Sequence, residues 1–442
     1  MYVWCRGRRP RARRGEFSSL RGRRRDNGRG IRVETIVTHG AGLDIHKALI
    51  VATLFTPTTT ETRSFGTVTD DLLVLGDWLT AAGVTDVAME ATGVYWKPIY
   101  NVLEQYEFHA VLVVNPQQIR GMPGRKTDVQ DSQWIASLLR VGVLKGSYIP
   151  ARPQRELREL VRYRKSLIQA RTAEANRIQK VLEGANIKLS SLVSDVLGKS
   201  GTRILQALAA GETDPEQLLT HVDRRVRADR ADLLRALRGL VGTHQQFLLA
   251  TQLRHLTFLE SEIATLSAEI AQRLANVEDA LTRLASIPGV GRRTAETIIA
   301  ECGTDMQRFP SAAHFVSWAG FSPGQHQSGG HAHAAPVRKG SKALREAVVE
   351  AGQAAGRTRT YLGAVYHRLA GRRGKQRAAV ATGRHILVAA YHILRAPDTV
   401  YQDLGADYFD QRDRAAVLRR HTRRLEALGY RVTVEPLAPA AG

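Results

Sequence analysis

Cysteine is almost absent from this chain. Cys5 and Cys302 are the only two in 442 residues and lie far apart, which excludes a disulfide framework and fits a reducing cytoplasm. No apolar run approaches the roughly 18 residues that a membrane-spanning helix needs, so no membrane partner is expected. The N-terminus lacks the apolar core of a signal peptide. Acidic residues are also in short supply: 42 Asp and Glu stand against 64 Lys and Arg, leaving a formal charge of +22 and a pI near 10.5. A chain this basic is expected to meet nucleic acid, and its length allows two or three domains.

The surplus charge is uneven. Residues 1–33 hold twelve arginines against Glu16 and Asp26, so +10 of the +22 sits there. This segment has almost no apolar periodicity and is expected to be disordered alone. It reads either as a basic arm on DNA or RNA or as translation from an upstream start codon. The remainder still carries +12, so the nucleic-acid expectation does not depend on it.

Four acidic residues in three stretches organise the chain. Asp44 lies in AGLDIHKA, Glu90 in VAMEATGVYW, and Asp128 with Asp131 in GRKTDVQDSQWIA. Asp44 follows a turn-like HGAG and opens a β-rich run. Glu90 closes a short apolar run and reads as a strand end. Asp128 and Asp131 are three apart where a helical pattern begins, which puts both on one side. Two strand ends and a helix start can supply the several carboxylates that phosphodiester chemistry needs around one or two Mg²⁺ ions. The plainer reading makes each a solvated acid, with Asp128 a helix N-cap.

The stretches GLDIHK, MEATGVYWKPIY and NPQQIRGMPGRKTDVQDSQWIA resemble the DEDD transposases, the insertion-sequence one-ten family that includes Piv-type DNA invertases. The resemblance runs from about residue 40 to about residue 405. It implies a RuvC-like, RNase H-type domain in which Asp44, Glu90, Asp128 and Asp131 bind Mg²⁺, with Mn²⁺ as a substitute. Ser132 stands where the family usually has Ala, a small-for-small change of little expected consequence.

Between residues 34 and 150 the pattern alternates strands and helices. Strands are expected at Ile36–Thr38, Lys47–Phe55, Thr62–Thr67, Val84–Met89 and Ala110–Val114. Helices are expected at about Asp70–Ala82, Tyr95–Gln105 and Val129–Val141. This suits an α/β domain with a mixed sheet. After Pro150 and Pro153 comes a helical stretch with Arg155, Arg158, Arg162, Arg164, Lys165, Arg171, Arg177 and Lys180 around an apolar stripe. It reads as a solvated face or as a helix tracking phosphates. Leu249, Leu256, Ile263 and Ile270 are seven apart, which predicts a coiled coil, either folded back on the basic helix or dimerising. Ile287-Pro288-Gly289-Val290-Gly291 before a helix reads as a helix-hairpin-helix that meets phosphate, or as a plain tight turn.

The segment FPSAAHFVSWAGFSPGQHQSGGHAHAAPVRKGSKALREAVVEAG is similar to the family's C-terminal domain. The resemblance maps the nucleophilic serine to Ser328 in QSGG. Read alone, a serine among glycines in a flexible loop is accessible to a DNA backbone, or is simply a polar loop residue. Where the family commonly has basic residues next, this chain has His331, Ala332 and His333, which weakens the local positive charge unless they are protonated. His326, His331 and His333 fit a solvated loop better than a zinc site, because no Cys or acid completes the set. Tyr361 and Tyr366 are the rival nucleophiles, without an evident Arg-His-Arg constellation.

The whole reads as α/β plus all-α: a disordered Arg-rich extension at 1–35, a RuvC-like DEDD domain at 36–150, a helical and coiled-coil region at 151–276, a serine transposase domain at 277–405, and a partly disordered tail at 406–442. The resemblance implies a nucleoid-associated recombinase that cuts and rejoins DNA at element ends. It further implies a structured guide RNA and a homo-oligomer, a dimer or tetramer. The alternatives are a Holliday-junction-type endonuclease using the acidic site alone and a non-catalytic nucleic-acid-binding protein.

Overall fold

The computed structural model describes residues 36–119, 127–191, 193, 195–224, 226–324, 326–333, 337 and 340–435. The expectations for the Arg-rich extension lie outside the described residues. The chain divides into two compact units, 1–149 and 150–442.

The first unit is built on a five-stranded mixed sheet. Its strands are β1 (Gly40–Ile45), β2 (Ile50–Phe55), β3 (Thr60–Phe65), β4 (Asp86–Glu90) and β5 (Ala110–Val114), in the order β3-β2-β1-β4-β5. β1, β4 and β5 run parallel, while β1, β2 and β3 form an antiparallel meander. Helices α1 (Thr69–Ala81), α2 (Trp96–Leu103), α3 (Pro116–Ile119) and α4 (Asp128–Arg140) complete it. Strand alternation sorts the side chains onto two faces. Leu43, Ile50, Leu54, Val87, Met89 and Val113 join the buried residues of α1 and α2. Phe55, Ala88 and Val114 face Ile135, Ala136 and Leu139 of α4.

The first strand differs from expectation. Ile36–Thr38 is not a strand, and the HGAG stretch is not a turn before Asp44: Gly40–Ile45 is itself β1. Gly42 is there because α4 crosses the sheet closely. A Cβ on it would sit 2.5 Å from the Ser132 carbonyl oxygen and 2.9 Å from the Ala136 Cα. Ser132 is fully buried, and its hydroxyl pairs with Thr53 Oγ1 at 2.7 Å while donating to the Val129 carbonyl. The serine therefore ties α4 to β2.

The second unit opens with the 33-residue α5 (Arg152–Gly184). Three short helices follow, α6 (Lys199–Ala209), α7 (Pro215–Leu219) and α8 (Arg230–Leu237), before the 31-residue α9 (Thr243–Arg273). Arg273 reaches Glu156, Arg164 approaches Ser267, Arg171 pairs with Glu260, and His255 pairs with Glu174. Positions rise on one helix as they fall on the other, so α5 and α9 pack antiparallel within the chain. Of the heptad residues, Leu249, Leu256, Ile263 and Ile270 are all buried.

One end of this hairpin enters a core with α6–α8, through Ile178, Leu182, Leu249 and Leu256. The other end, through Leu157, Val161 and Ile270, joins a larger core. That core is built from α10 (Glu278–Ala285), α11 (Arg292–Cys302), α12 (Ala312–Trp318), α13 (Lys342–Ala355), α14 (Tyr361–Arg373) and α15 (Lys375–Arg395). A two-stranded hairpin, β6 (His326–Ser328) and β7 (His331–His333), lies between α12 and α13. In the tail, α16 (Tyr408–Arg412) and α17 (Arg414–Ala427) follow α15, and residues 436–442 lie outside the described residues. α16 is seated by its aromatics. Tyr408 meets the Tyr361 ring edge-on at 5.1 Å, and Phe409 stacks on it at 5.7 Å.

Candidate active site

Asp44 and Glu90 leave the sheet on one face and at one edge. Leu43 and Met89 are register partners in the parallel β1–β4 pair. Asp44 and Glu90 each come one residue later, and alternation turns both toward the α4 face. The first turn of α4 carries Asp128 and Asp131, where the helix dipole favours negative charge. Asp128 is not the cap. Thr127 holds that position and accepts from the Gln130 N–H, and its carbonyl accepts from the Asp131 N–H. The capping explanation of Asp128 is thereby removed.

The tightest convergence includes His46, which is not among the four acids. His46 Nε2 lies 3.1 Å from Asp44 Oδ2 and 3.4 Å from Asp128 Oδ1. Ligand atoms of Asp44, His46 and Asp128 all lie within 4.8 Å of one another. The signal was legible: His46 follows Asp44 by two at a strand end, the spacing that returns a side chain to the same face. Glu90 is half-buried at the same edge but is outside this three-residue group, as is Asp131.

Electrostatics set Asp44 apart. It is 8 % exposed. Burial pushes its carboxyl above the usual carboxylate range, His46 opposes that rise, and the nearby charges of Asp131 and Asp128 add to it. A buried carboxylate repelled by two others is relieved by a cation. The carboxylate oxygens suit a divalent cation that prefers hard ligands, with the His46 imidazole beside them.

Ser328 ends β6 and pairs with His331 across Gly329 and Gly330. Both glycines have positive φ, 56° and 80°, the requirement of a two-residue hairpin turn. The serine's segment is therefore a defined hairpin rather than a loose loop. The side chains of His326, Ser328, Ala332 and His333 lie outside the described residues, while His331 is exposed. The rival Tyr361 is packed among Tyr408, Phe409 and His385, with its hydroxyl pKa raised by burial. Cys302 is fully buried with its thiol pushed up to about 12, which leaves it inert.

Several cations of the basic run on α5 are engaged within the chain. Arg162 makes two hydrogen bonds to the Glu301 carboxylate, at 2.7 and 2.9 Å. Arg164 is buried against Glu296 at 2.5 Å, and Lys165 pairs with Glu346. Arg158 donates to the Ala300 carbonyl. These cations anchor α5 to α11 and α13. In the Ile287–Gly291 turn, Ile287 and Val290 are core residues, and Gly289 lies against Ala351 and Ala355.

Comparison with known proteins adds three matches. Residues 41–187 match a family described as a transposase of the DEDD type. Residues 281–367 match the Transposase IS116/IS110/IS902 family. A "Probable family 20 transposase" from Pseudomonas aeruginosa is 25 % identical over 273 residues, covering 61 % of this chain and 70 % of the relative.

Proposed function

Since the chain belongs to the IS110 family of insertion-sequence transposases, whose substrates are DNA, we propose that it cuts and rejoins DNA strands through Ser328, assisted by a metal site of Asp44, Glu90, Asp128 and Asp131. The observation that carries this reading is the meeting of Asp44 and Asp128 around His46 at one sheet edge, with Asp131 charging the same space. The mixed sheet supports a RuvC-like assignment for the first domain, at 36–150. The helical region at 151–276 is a coiled-coil-like connector, and 277–405 is the serine domain. The working oligomer is a dimer or tetramer, nucleoid-associated in the cytoplasm.

A bound Mg²⁺, or Mn²⁺ in its place, supplies Lewis-acid stabilisation of charge on the phosphoryl oxygens. Asp44, Asp128 and Asp131 would hold that cation from β1 and α4, and Glu90 would hold it from β4. His46 orients the Asp44 and Asp128 carboxylates. Ser328 Oγ forms a bond to phosphorus as one phosphodiester P–O bond breaks. The serine proton leaves to a base, and the departing strand keeps its oxygen. The phosphoserine ester conserves the energy of the broken bond, so the ends rejoin without ATP. A structured RNA from the element's own ends is the proposed guide, a role that the surplus positive charge suits.

A suicide DNA substrate tests this reading. Wild type should carry a covalent DNA adduct, mapped by peptide mass to the segment containing Ser328, and Ser328→Ala should neither cut nor couple. Free ends with no adduct, together with full cutting by Ser328→Ala, would instead indicate a hydrolytic nuclease working from the acidic site alone. An adduct on Tyr361 or Tyr366 would replace the nucleophile.

A further inference from the structure

The exposed arginines of α17 remain unexplained by either site. α17 runs Arg414–Ala427 beyond both matched spans, and none of its residues is buried. At 100° per residue, Val417, Leu418, Leu425 and Leu428 fall on one side. Arg419, Arg420 and Arg423 fall on the other, with Arg424 at its margin. Leu418, Leu425 and Leu428 are 49 %, 43 % and 67 % exposed.

The contrast with α5 singles this helix out. The α5 cations that looked suited to phosphate are engaged by Glu301, Glu296, Glu346 and Glu260. Among the described residues, no carboxylate is paired with Arg414, Arg419, Arg420, Arg423 or Arg424, and Glu426 is the only acid within the helix. The helix is nevertheless anchored. α16 immediately before it is held by the Tyr361 cluster, and Arg368 lies over the Phe409 ring at 4.8 Å. Asp413 caps α17 by accepting from the Ala416 N–H.

We propose that α17 is an accessory DNA-binding helix whose Arg419, Arg420 and Arg423 face grips the phosphate backbone of duplex DNA, outside the catalytic domains. The inference rests on the transposase reading only for the choice of DNA as the polyanion. Charge complementarity supplies the rest. Three guanidiniums fall within five residues, about 6 Å of helix rise, so they meet adjacent phosphates of one strand together. The grip carries no sequence information, since phosphate contacts position a protein without reading bases. Its role is to hold flanking DNA while the catalytic domains act.

The test compares full-length wild type with the Arg419→Gln, Arg420→Gln, Arg423→Gln triple variant and with a Leu418→Gln, Leu425→Gln control. Binding is measured on a duplex DNA lacking element sequence, on a duplex RNA of equal length, and on phosphatidylcholine–phosphatidylserine vesicles, from low to high salt. Each lost phosphate contact lowers the slope of log affinity against log salt by about 0.9. The triple variant should therefore bind DNA with a slope lower by about 2.7 and lose most affinity at low salt, while the leucine control keeps the wild-type slope. An unchanged slope for the triple variant, with wild type binding DNA steeply, overturns the proposal and leaves the transposase reading standing. So does a loss confined to RNA or to vesicles. Failure of wild type to bind DNA at all overturns both.

Discussion

Gly42→Ala is the sharpest single perturbation of the first unit. The added methyl would stand 2.5 Å from the Ser132 carbonyl oxygen and 2.9 Å from the Ala136 Cα, whereas ordinary contact begins near 3.4 Å. These are backbone atoms, which cannot swing aside as a side chain can. α4 must retreat by about 1 Å, the shortfall between those distances. Overpacking of this kind costs about 1–3 kcal/mol. The retreat also stretches the Thr53–Ser132 hydrogen bond from its 2.7 Å. The larger effect falls on the site, because α4 carries Asp128 and Asp131 while Asp44 stays on β1. Mg²⁺ demands oxygens at about 2.0–2.1 Å in near-octahedral array, so a shift of about 1 Å removes a ligand. Urea melts with and without Mg²⁺ or Mn²⁺ measure both effects. The variant should melt earlier, keep a native circular-dichroism spectrum, and lose most of the stabilisation by metal. A variant that matches wild type in midpoint and in metal response would refute the argument that α4 sits as close as described.

Four further outcomes are expected. Asp44→Asn, Glu90→Gln, Asp128→Asn and Asp131→Asn should each abolish cleavage yet leave DNA binding nearly intact in gel shifts; normal cutting by any two would sink the four-acid site. Because the folded-state pKa of Asp44 is raised, its contribution to metal-free stability is present below the unfolded value near 3.8 and is lost as pH rises through the raised one. Metal affinity should run the opposite way, weakening as pH falls into that window, and a calorimetric titration showing no weakening there would contradict it. Arg164→Met should destabilise by about 3–5 kcal/mol, because it strips a buried partner from Glu296, although Arg292 at 2.9 Å remains to soften the loss; a urea midpoint unchanged from wild type would show the pair to be dispensable. Tyr361→Phe should leave cleavage intact, and loss of cutting in a well-folded variant would restore the tyrosine as a nucleophile.

Periodicity made most of the fold legible. The 3.6-residue spacing in α1, α4, α5 and α9 survives because one face of each helix is buried, whereas β1 and β2 are buried on both faces and show in the sequence as apolar runs. Gly40–Ile45 escaped because glycines are poor strand formers in isolation, and only the crossing α4 explains them. The ion pairs of α5 were not legible for a related reason: charge of one sign in a helix gives no sign of the acids of α11 and α13, which arrive from more than a hundred residues away. At the site, the four acids stood out because they sit at two strand ends and a helix start, in stretches that resemble the DEDD transposases. For His46 the spacing after Asp44 marks a shared face, but its meeting with Asp128 from α4 is visible only in the fold.

The α5–α9 hairpin makes the second unit a dumbbell with a stiff handle. Leu157 belongs to one core and Leu182 to the other, and 25 helical residues separate them by about 38 Å. Damage at the two ends should therefore be thermodynamically independent, with free-energy losses that simply add. The α6–α8 end is then a replaceable head. Its recutting or exchange should leave the packing of the far end, whose chain carries the Ser328 hairpin between α12 and α13, unchanged.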